Sequence, residues 1–282
     1  MRRAWLAAVL ASVLCAGTAT AAQGSRALPE PVRIWPLGDS ITQGALGPSR
    51  GVPGGYRGFL DLSLQAAGVE HQFVGSLQTN ATAVLEVRGQ AAHDGHPAFY
   101  LDEVSAGVDG WVSAHAYSGG HWVDGLDPDL VLLHIGTNDV IHRVDPQRRF
   151  ATRDGKADVT DVRQRAQFVA DLTGRLHRLV DKLHRLRPRA VIVLATITPV
   201  GTDTCDPVTP DYARSVRALV GVERAAGVRI RLADVWSAYT RVDRGSCEIL
   251  PGLLSADRVH PTSEGYAVMA AAFQHALLAS SG

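Results

Sequence analysis

Short apolar runs alternate along the chain with longer segments whose apolar residues recur every three or four positions. The runs are nearly continuous, and strands of that kind are buried on both faces, as in a parallel sheet covered by helices. The clearest run is bounded by turn formers, Asp127-Pro128-Asp129 before it and Gly136 after it. The predicted strands are Val32–Leu37, Gln72–Val74, Leu130–Ile135, Ala190–Ile197 and Arg229–Val235.

Helical periodicity is strongest over Val162–Leu186. Its apolar residues line one face, and its arginines and lysines fall largely outside that stripe, which indicates a solvated cationic face rather than a binding surface. Further helices are predicted over Gly54–Ala67, Asp211–Ala226 and Ser263–Leu278, the last with Ser263 as N-cap. Strands that alternate with helices predict an α/β fold, and we find no internal repeat or low-complexity linker.

Three stretches are too long to be plain connections: Gly75–Gly125, Ile141–Asp161 and Trp236–Ser255. Long loops in compact domains are usually functional or mobile. In a parallel sheet the ligand binds beyond the carboxyl ends of the strands, and all three stretches leave the sheet at that end. We therefore expect them to form the walls of a pocket.

The first residues have the organisation of an export signal. Arg2-Arg3 precedes an apolar stretch, Trp5–Cys15, and Ala19-Thr20-Ala21 is a small-x-small cleavage site. The apolar stretch is too short to be a membrane span. A lipid anchor on Cys15 is the competing interpretation, but Leu14 is large where such sites carry small residues. The sequence therefore predicts a signal peptide and secretion.

Cleavage after residue 21 would leave a single domain over residues 22–282. It removes two arginines and no acid from the 28 basic and 28 acidic side chains, so 26 and 28 remain, a net charge of −2. That balance favours neither nucleic acid nor an anionic membrane as a partner. No later segment is apolar for long enough to cross a bilayer, so we expect no stable membrane association. The oligomeric state stays open.

Two cysteines remain after cleavage, Cys205 and Cys247. An even number of cysteines in an exported chain favours a disulfide over two free thiols. If chain entropy is the source of the stabilisation, closing a loop of this length contributes about 4 kcal/mol. Neither cysteine has a second cysteine or a histidine at ligand spacing, which disfavours a metal site.

A serine in the position of a nucleophile follows the first predicted strand. The segment Gly38-Asp39-Ser40-Ile41-Thr42 places Ser40 at the carboxyl end of that strand, where Gly38 permits a tight turn. The G-x-S-x-G elbow of α/β-hydrolases is not formed, because Thr42 stands at its second glycine. Taken alone, this serine is equally compatible with an ordinary turn or cap.

The segment Asp257-Arg258-Val259-His260-Pro261 contains a base and a group that can orient it. A serine hydroxyl is a weak nucleophile until a base removes its proton. Asp257 can accept a hydrogen bond from one ring nitrogen of His260 and leave the other for Ser40. The alternative is an aspartate that caps the turn before the last helix.

The segment Gly136-Thr137-Asn138-Asp139 directly follows the clearest strand. The amide of Asn138 can donate to the oxyanion that develops in acyl transfer. The alternative is a polar turn that closes the strand, since Asn and Asp favour turns. Each of the three segments has such an ordinary explanation, but their joint occurrence at element ends indicates a hydrolase site.

The segments PLGDSITQG, LLHIGTND and DRVHP resemble blocks I, III and V of the GDSL/SGNH hydrolases, in the same order, over most of residues 32–275. The resemblance implies a three-layer α/β/α sandwich with a flavodoxin-like parallel sheet. It implies Ser40 as nucleophile, His260 as base and Asp257 as orienting acid. It also implies an oxyanion hole formed by the backbone N–H of Ser40 and the side chain of Asn138.

Within that superfamily the chain is most similar to carbohydrate esterase family three, the acetyl xylan esterases. The similarity rests on Pro53-Gly54-Gly55-Tyr56-Arg57, Phe73-Val74-Gly75-Ser76, His93-Asp94-Gly95-His96 and His134 before Gly136. It implies that the enzyme removes a small acyl group, most often acetyl, from an acylated polysaccharide or a small ester.

One position departs from that family. Its members usually place a glycine two residues after the second histidine of the loop at 93–96, and the N–H of that glycine completes the oxyanion hole. Here the position is Ala98. A backbone donor requires glycine only where φ is positive, so Ala98 remains the expected third donor. The alternatives are Gly95 and a residue of Ser105–Gly110.

Two further segments contain possible metal ligands. His93, Asp94 and His96 are closely spaced, but no further ligand is evident and serine chemistry needs no metal, so a structural loop is favoured. Residues 154–161 resemble half of a calcium loop, but Phe150 and Thr152 replace its first two acidic ligands, which favours a polar surface turn. We therefore predict neither a metal nor a cofactor.

These patterns together predict a secreted serine esterase of short-chain acyl esters on carbohydrate. The main alternative is a lysophospholipase or thioesterase, although the chain has no long apolar lid or amphipathic surface helix of the kind that lipid-directed enzymes often carry. A non-catalytic glycan-binding descendant is a second alternative. Aromatic residues of the loops could lie against sugar rings, although each is also compatible with a core position: Tyr56, Phe99, Tyr100, Trp111, Tyr117 and Trp122.

Overall fold

A parallel sheet of six strands forms the centre of the protein. The computed structural model describes residues 30–45, 51–108, 122–143, 158–201, 204–243 and 246–279. An antiparallel hairpin of two more strands lies apart from the sheet. The strands of the sheet are β1 (Val32–Gly38), β2 (His71–Phe73), β3 (Asp94–Gly95), β4 (Leu130–His134), β5 (Val191–Ala195) and β6 (Ile230–Ala233), and those of the hairpin are β7 (Thr240–Asp243) and β8 (Ser246–Ile249).

The order of the strands locates the site at which a ligand is expected. Both β2 and β3 pair with one edge of β1, β2 near its start and β3 at its last two residues, while β4 pairs with the other edge. The sheet continues from β4 to β5 and β6. Apart from β3 this is the flavodoxin-like order, whose ligands bind where the strand order reverses, beyond the carboxyl ends of β1 and β4.

Helices cover the sheet on both sides and form its connections. Several of these helices are short and consist of only one or two turns between a strand and the next element. Their bounds are α1 (Ser40–Gln43), α2 (Gly55–Ala66), α3 (Ala83–Val87), α4 (Leu101–Val108), α5 (Thr137–His142), α6 (Val162–Leu186), α7 (Val208–Ala225), α8 (Val235–Tyr239) and α9 (Ser263–Leu278).

Two hydrophobic cores, one on each face of the sheet, hold the layers together. Successive side chains of a strand point to opposite faces, so Trp35 and Leu133 pack with α4, α6 and α7, whereas Ile34 and Leu132 pack with α2, α8 and α9. Every residue of β4 and β5 is buried. The predicted three-layer α/β/α fold is confirmed, and burial on both faces explains why these strands are nearly continuous apolar runs.

The structure corrects the N-cap of one predicted helix and the start of another. The last helix is capped by Thr262, whose hydroxyl accepts from the backbone N–H of Gly265 at 3.1 Å, so the prediction of Ser263 as N-cap is wrong by one residue. Helix α7 begins at Val208, three residues before the predicted Asp211. Pro210 lies in its first turn, where a missing N–H is tolerated because those groups have no acceptor within the helix.

The three long stretches contain more structure than the periodicity indicated. Gly75–Gly125 contains α3, β3 and α4, and Trp236–Ser255 contains most of α8 and the β7–β8 hairpin. Residues 144–157 of the remaining stretch, the predicted signal peptide and Cys15 lie outside the described residues. Among the helices that are described, none has the length and apolar character needed to span a membrane.

A disulfide joins Cys205, in the loop after β5, to Cys247 in β8, with Cα atoms 5.5 Å apart. The same two residues share a backbone hydrogen bond, from the N–H of Cys205 to the carbonyl of Cys247 at 3.2 Å. The loop that carries Cys205 also touches the chain next to the predicted catalytic pair, because the N–H of Gly201 donates to the carbonyl of Arg258 at 3.3 Å.

Candidate active site

Ser40 is the first residue of α1, directly after β1. Asp39 caps this short helix, because its Oδ1 accepts from the N–H of Ile41 at 2.9 Å. Gly38 pairs with His134 of β4, and a Cβ at Gly38 would collide with the His134 carbonyl oxygen. Gly38 is therefore needed for the close approach of β1 and β4 beside the serine, and not for the tight turn that we expected.

Ser40 contacts the predicted base across most of the length of the chain. Its Oγ lies 2.9 Å from Nε2 of His260. The other ring nitrogen of His260, Nδ1, lies 2.8 Å from Oδ2 of Asp257. This linear order of hydroxyl, imidazole and carboxylate is the geometry that proton transfer from a serine requires.

The second carboxylate oxygen of Asp257 is held by three donors. Oδ1 accepts from the Ser255 hydroxyl at 2.7 Å and from the N–H groups of Val259 and His260, each at 3.0 Å. Partial burial tends to raise the pKa of Asp257, but the bonds from Ser255 and from His260 outweigh burial and hold this pKa well below its ordinary value. Asp257 therefore stays ionised beside the imidazole. Ser255 was not singled out in the sequence, since a serine two residues before an aspartate is a weak local signal.

Asn138 lies in the first turn of α5, directly after β4, and is nearly buried. Its Nδ2 donates to the carbonyl of Phe99 at 2.9 Å. An amide nitrogen carries two N–H groups, so this bond orients the side chain and leaves the second N–H for another acceptor. Ser40 and Asn138 follow two strands that pair with each other, β1 and β4. They therefore lie on the two sides of the point where the strand order of the sheet reverses.

The expected third donor has an unusual backbone conformation. Ala98 is exposed and has φ +63°, in the left-handed region that glycine adopts without cost. A positive φ is the case in which a backbone donor favours glycine, the residue that the resemblance led us to expect at position 98. The alternative donor, Gly95, is engaged elsewhere, because its N–H donates to Nδ1 of His93 at 2.9 Å. Of the Ser105–Gly110 alternative, residues 105–108 belong to α4 and residues 109 and 110 lie outside the described residues.

The loop of His93 and Asp94 is tied down within the protein. Asp94 Oδ2 accepts from the indole N–H of Trp35 at 2.6 Å and from the N–H of Ser76 at 3.1 Å, and Oδ1 accepts from the Ser76 hydroxyl. Nε2 of His93 lies 2.9 Å from the carbonyl of Thr79, and burial lowers the pKa of His93 to about 3. These contacts support the structural interpretation of the loop over the metal one.

Arg57, in one of the segments that resembled the carbohydrate esterases, ties α1 to the chain just before the loop at 93–96. It is completely buried at the start of α2, and it donates to the carbonyl of Ala91 at 2.7 Å and to that of Gln43, in α1, at 3.2 Å. Burial lowers the pKa of Arg57 to about 10. The residues around Tyr56 and Arg57 therefore brace the helix that begins with Ser40, a role that the sequence did not reveal.

Three of the four described aromatic residues that could have lain against a sugar are buried. Tyr56, Phe99 and Trp122 are buried, and the rings of His96, Phe99 and Trp122 stack on one another. Their burial makes them core anchors, which agrees with the core position that the sequence allowed for each of them, and they are not available to a sugar. Tyr100 is partly exposed, and its ring makes an edge-to-face contact with the ring of His142. Trp111 and Tyr117 lie outside the described residues.

Further possible metal ligands make contacts within the protein. Asp158 accepts from the N–H and hydroxyl of Thr160, and Asp161 caps α6, so both support local structure at the end of the predicted polar turn. The rest of that turn, with Phe150 and Thr152, lies outside the described residues. Elsewhere in the described chain, His177, Asp181 and Glu223 come together between α6 and α7. The Nδ1 of His177 and Oε1 of Glu223 already bind each other.

Comparison with known proteins identifies relatives by sequence. The sequence model of the GDSL-like Lipase/Acylhydrolase family matches residues 37–268. A multidomain esterase of Ruminococcus flavefaciens is 28% identical over 178 residues, which span 60% of this chain and 19% of that protein. The chain thus matches less than a quarter of the length of that relative.

Three solved structures have a similar fold. A family 3 carbohydrate esterase of Clostridium thermocellum has a TM-score of 0.60 at 21% identity, over 88% of this chain and 95% of its own. An acetyl esterase mutant with an acetate ion has a TM-score of 0.61 at 20% identity, over 88% and 96%. A family 3 carbohydrate esterase of Talaromyces cellulolyticus has a TM-score of 0.59 at 20% identity, over 88% and 96%.

Proposed function

The chain belongs to the GDSL-like Lipase/Acylhydrolase family and is a carboxylic ester hydrolase, and we propose that it is a secreted serine esterase that removes short acyl groups, chiefly acetyl, from carbohydrate. One observation carries the mechanistic part. Ser40 Oγ, the His260 ring and the Asp257 carboxylate form a continuous chain of contacts at 2.9 and 2.8 Å.

The proposed reaction is acyl transfer to water in two halves. Nε2 of His260 takes the proton of Ser40 as Oγ forms a bond to the ester carbonyl carbon. When the tetrahedral intermediate collapses, the bond to the alcohol oxygen breaks and His260 gives its proton to the departing alcohol. Water then repeats the sequence on the acyl-enzyme, which releases the acid and restores Ser40.

Asp257 and the oxyanion donors have separate roles in this scheme. Asp257 fixes the tautomer and orientation of His260 and stabilises the imidazolium that forms. The N–H of Ser40, the side chain of Asn138 and the N–H of Ala98 donate to the carbonyl oxygen as it becomes negative. Ser40 stands at N1 of α1, where a backbone N–H has no acceptor within the helix.

The substrate part of the proposal has its own support. The named relatives include family 3 carbohydrate esterases and an acetyl esterase, and the segments at 53–57, 73–76 and 93–96 resemble the same group. Tyr100, which is partly exposed and follows Phe99, is available to lie against a sugar ring. Secretion is supported by the organisation of residues 1–21.

Labelling by a fluorophosphonate probe tests whether Ser40 is the nucleophile. The variant Ser40→Ala should not be labelled, and it should lose activity with little loss of stability. Asn138→Ala should lower the rate by about 10²–10³, the usual loss for one oxyanion donor. If Ser40→Ala retained more than a few per cent of wild-type turnover, the mechanism would be wrong. Absence of labelling in the wild type would favour the non-catalytic alternative.

A ladder of acyl esters tests the substrate. Catalytic efficiency should fall steeply from acetyl to octanoyl esters, and acetylated xylan should release acetate. A maximum at eight carbons or longer, with no acetate from any acetylated polysaccharide, would instead support the lysophospholipase or thioesterase alternative. Detection of the chain, cut after residue 21 or 22, in the culture medium tests secretion.

A further inference from the structure

Two neighbouring side chains of α5 hold the segment that follows Ala98. Asn138 donates to the carbonyl of Phe99 at 2.9 Å. Asp139 reaches the same segment two residues later, because its Oδ2 accepts from the N–H of Leu101 at 3.0 Å. Leu101 is the first residue of α4, whose first N–H groups have no acceptor within the helix. The block that supplies the oxyanion donor therefore also fixes the end of the loop that carries Ala98.

Asp139 is held in turn by an arginine from the longest helix. Its Oδ1 lies 2.6 Å from Nη1 of Arg175 in α6, and both side chains are almost fully buried. The same nitrogen of Arg175 lies 3.3 Å from Asp102, the second residue of α4, and Nε lies 3.1 Å from Asp171. Arg175 thus binds the start of α4 twice, directly through Asp102 and indirectly through Asp139.

A pair of this kind is not explained by stability alone. Taking two charges out of water costs several kcal/mol per ion, and well-packed apolar residues often stabilise a protein as much as a buried ion pair does. What the pair supplies here is geometry, since Arg175 is held at two of its nitrogens and the carboxylate of Asp139 is held at both of its oxygens. The orientation matters at this point because Ala98 is held in a left-handed conformation that alanine does not favour.

We infer that Asp139 and Arg175 are positioning residues of the oxyanion hole: they fix Leu101, and with it the segment from Ala98 to Phe99, relative to Asn138. The inference rests on the proposed serine esterase mechanism. Neither residue touches the substrate. Both act by keeping the N–H of Ala98 and the amide of Asn138 aimed at one point, and a displacement of about 1 Å at such a point can cost about 100-fold in rate.

The test is a double-mutant cycle between Asp139→Asn and Asn138→Ala. Asparagine keeps the size of the side chain but has one acceptor oxygen instead of two. It therefore cannot give Leu101 and Arg175 an acceptor oxygen each, as Asp139 does. With p-nitrophenyl acetate, and with kcat normalised to fluorophosphonate-titrated sites, Asp139→Asn should lower kcat by about 10–100-fold and change KM by less than about threefold. In the Asn138→Ala background the same substitution should cost clearly less, because residues that act as one unit are not additive.

Asp171→Asn is the matched control. It changes another carboxylate partner of Arg175, which lies 3.1 Å from Nε, and leaves the carboxylate of Asp139 in place. It should leave kcat within about twofold of the wild type, because Arg175 keeps its contacts with Asp139 and Asp102. Arg175→Lys keeps a charged donor and should retain more kcat than Arg175→Gln. The two Arg175 variants test the inference if Asp139→Asn does not fold.

Three outcomes would overturn the inference: losses that simply multiply in the double variant, equal losses in Asp171→Asn and Asp139→Asn, or equal kcat in Arg175→Lys and Arg175→Gln. Each would mean that the pair serves stability only. These outcomes differ from failure of the proposed function, in which wild-type turnover would survive Ser40→Ala.

Discussion

Asp257 binds His260 through both carboxylate oxygens: Oδ2 lies 2.8 Å from ring Nδ1, and Oδ1 lies 3.0 Å from the backbone nitrogen of the same residue. The carboxylate therefore fixes the ring and the backbone that carries it together. The three donors to Oδ1 prevent the Asp257 side chain from rotating, so that it can hold the imidazole of His260 in one orientation.

Asp257→Asn should lower kcat by about 10³-fold or more, because an amide at this position favours the wrong tautomer of His260. Ser255→Ala removes one of three donors to Oδ1 and should cost only about fivefold, the rate equivalent of about one hydrogen bond. Steady-state kinetics on an acetyl ester measures both. An Asp257→Asn variant with a tenth of wild-type turnover would contradict the assignment.

Ala98→Gly should raise the free energy of unfolding by about 0.5–1 kcal/mol, because glycine relieves the left-handed strain but gains entropy in the unfolded chain. Ala98→Val should lower kcat, since a β-branched residue resists φ +63° and would shift the loop. Urea unfolding and kinetics provide the measurements. Ala226→Gly, at a position with φ −79°, is the control and should be neutral or destabilising. The proposal of strain at Ala98 does not survive if both glycine variants behave alike.

Asp39 makes stability depend on pH. Burial raises its pKa from the ordinary 3.8 to about 7 in the folded protein. Between these values the unfolded chain releases the proton and the folded chain keeps it, so the contribution of Asp39 to stability falls as the pH rises from about 4 to about 7 and then levels off. Asp39→Asn keeps an acceptor for the N–H of Ile41 but does not titrate.

The difference in unfolding free energy between Asp39→Asn and the wild type should therefore grow in favour of the variant from pH 4 to pH 7 and stay constant above it. Chemical unfolding at closely spaced pH values measures the difference, in which the titration of other groups largely cancels. A difference that does not vary with pH would show that Asp39 does not carry the proton.

The disulfide between Cys205 and Cys247 should matter for the site as well as for stability. Reduction, or Cys205→Ser with Cys247→Ser, should cost about 4 kcal/mol on the chain-entropy description of its loop and should lower the melting temperature. Faster hydrogen exchange near Arg258, which bonds to Gly201 of the same loop, should accompany it. Two titratable thiols in the native protein would show that the bond is not formed.

Tyr100 should contribute to carbohydrate binding and not to the chemical step. Tyr100→Ala should raise KM for acetylated xylo-oligosaccharides about tenfold, the equivalent of about 1.4 kcal/mol, as expected for loss of an aromatic contact. KM for p-nitrophenyl acetate should be nearly unchanged. Tyr100→Phe keeps the ring and should resemble the wild type. Equal effects on both substrates would remove Tyr100 from the sugar site.

The sequence alone was sufficient for the elements whose signal is local. Val162–Leu186 and Ser263–Leu278 have the predicted bounds because their apolar residues repeat at helical spacing over many turns. The strands β1, β4 and β5 were found because burial on both faces makes them continuous apolar runs. Short elements such as α3, β3 and α5 were missed, since one turn or two residues carry no periodicity.

The candidate site divides in the same way. The recognisable segments at element ends contain the candidate catalytic and oxyanion residues, so their chemistry could be predicted from the sequence. These residues are Ser40, Asn138, Asp257 and His260. The contact of Ser40 with His260 spans 220 residues, and that of Asp139 with Arg175 spans 36. Such pairs have no signature in the local sequence, because either partner is equally compatible with a solvated position until the chain folds.

The sequence by itself determined which side chains can supply a hydroxyl, an imidazole, a carboxylate and an amide at the ends of elements, and which segments fold as strands and long helices. Only the tertiary structure decided that Gly38 is required by the approach of β4, that Ala98 has a positive φ and that Phe99 and Trp122 belong to the core. The reason is that backbone conformation and burial at these positions depend on packing between distant segments, which residue type alone does not specify.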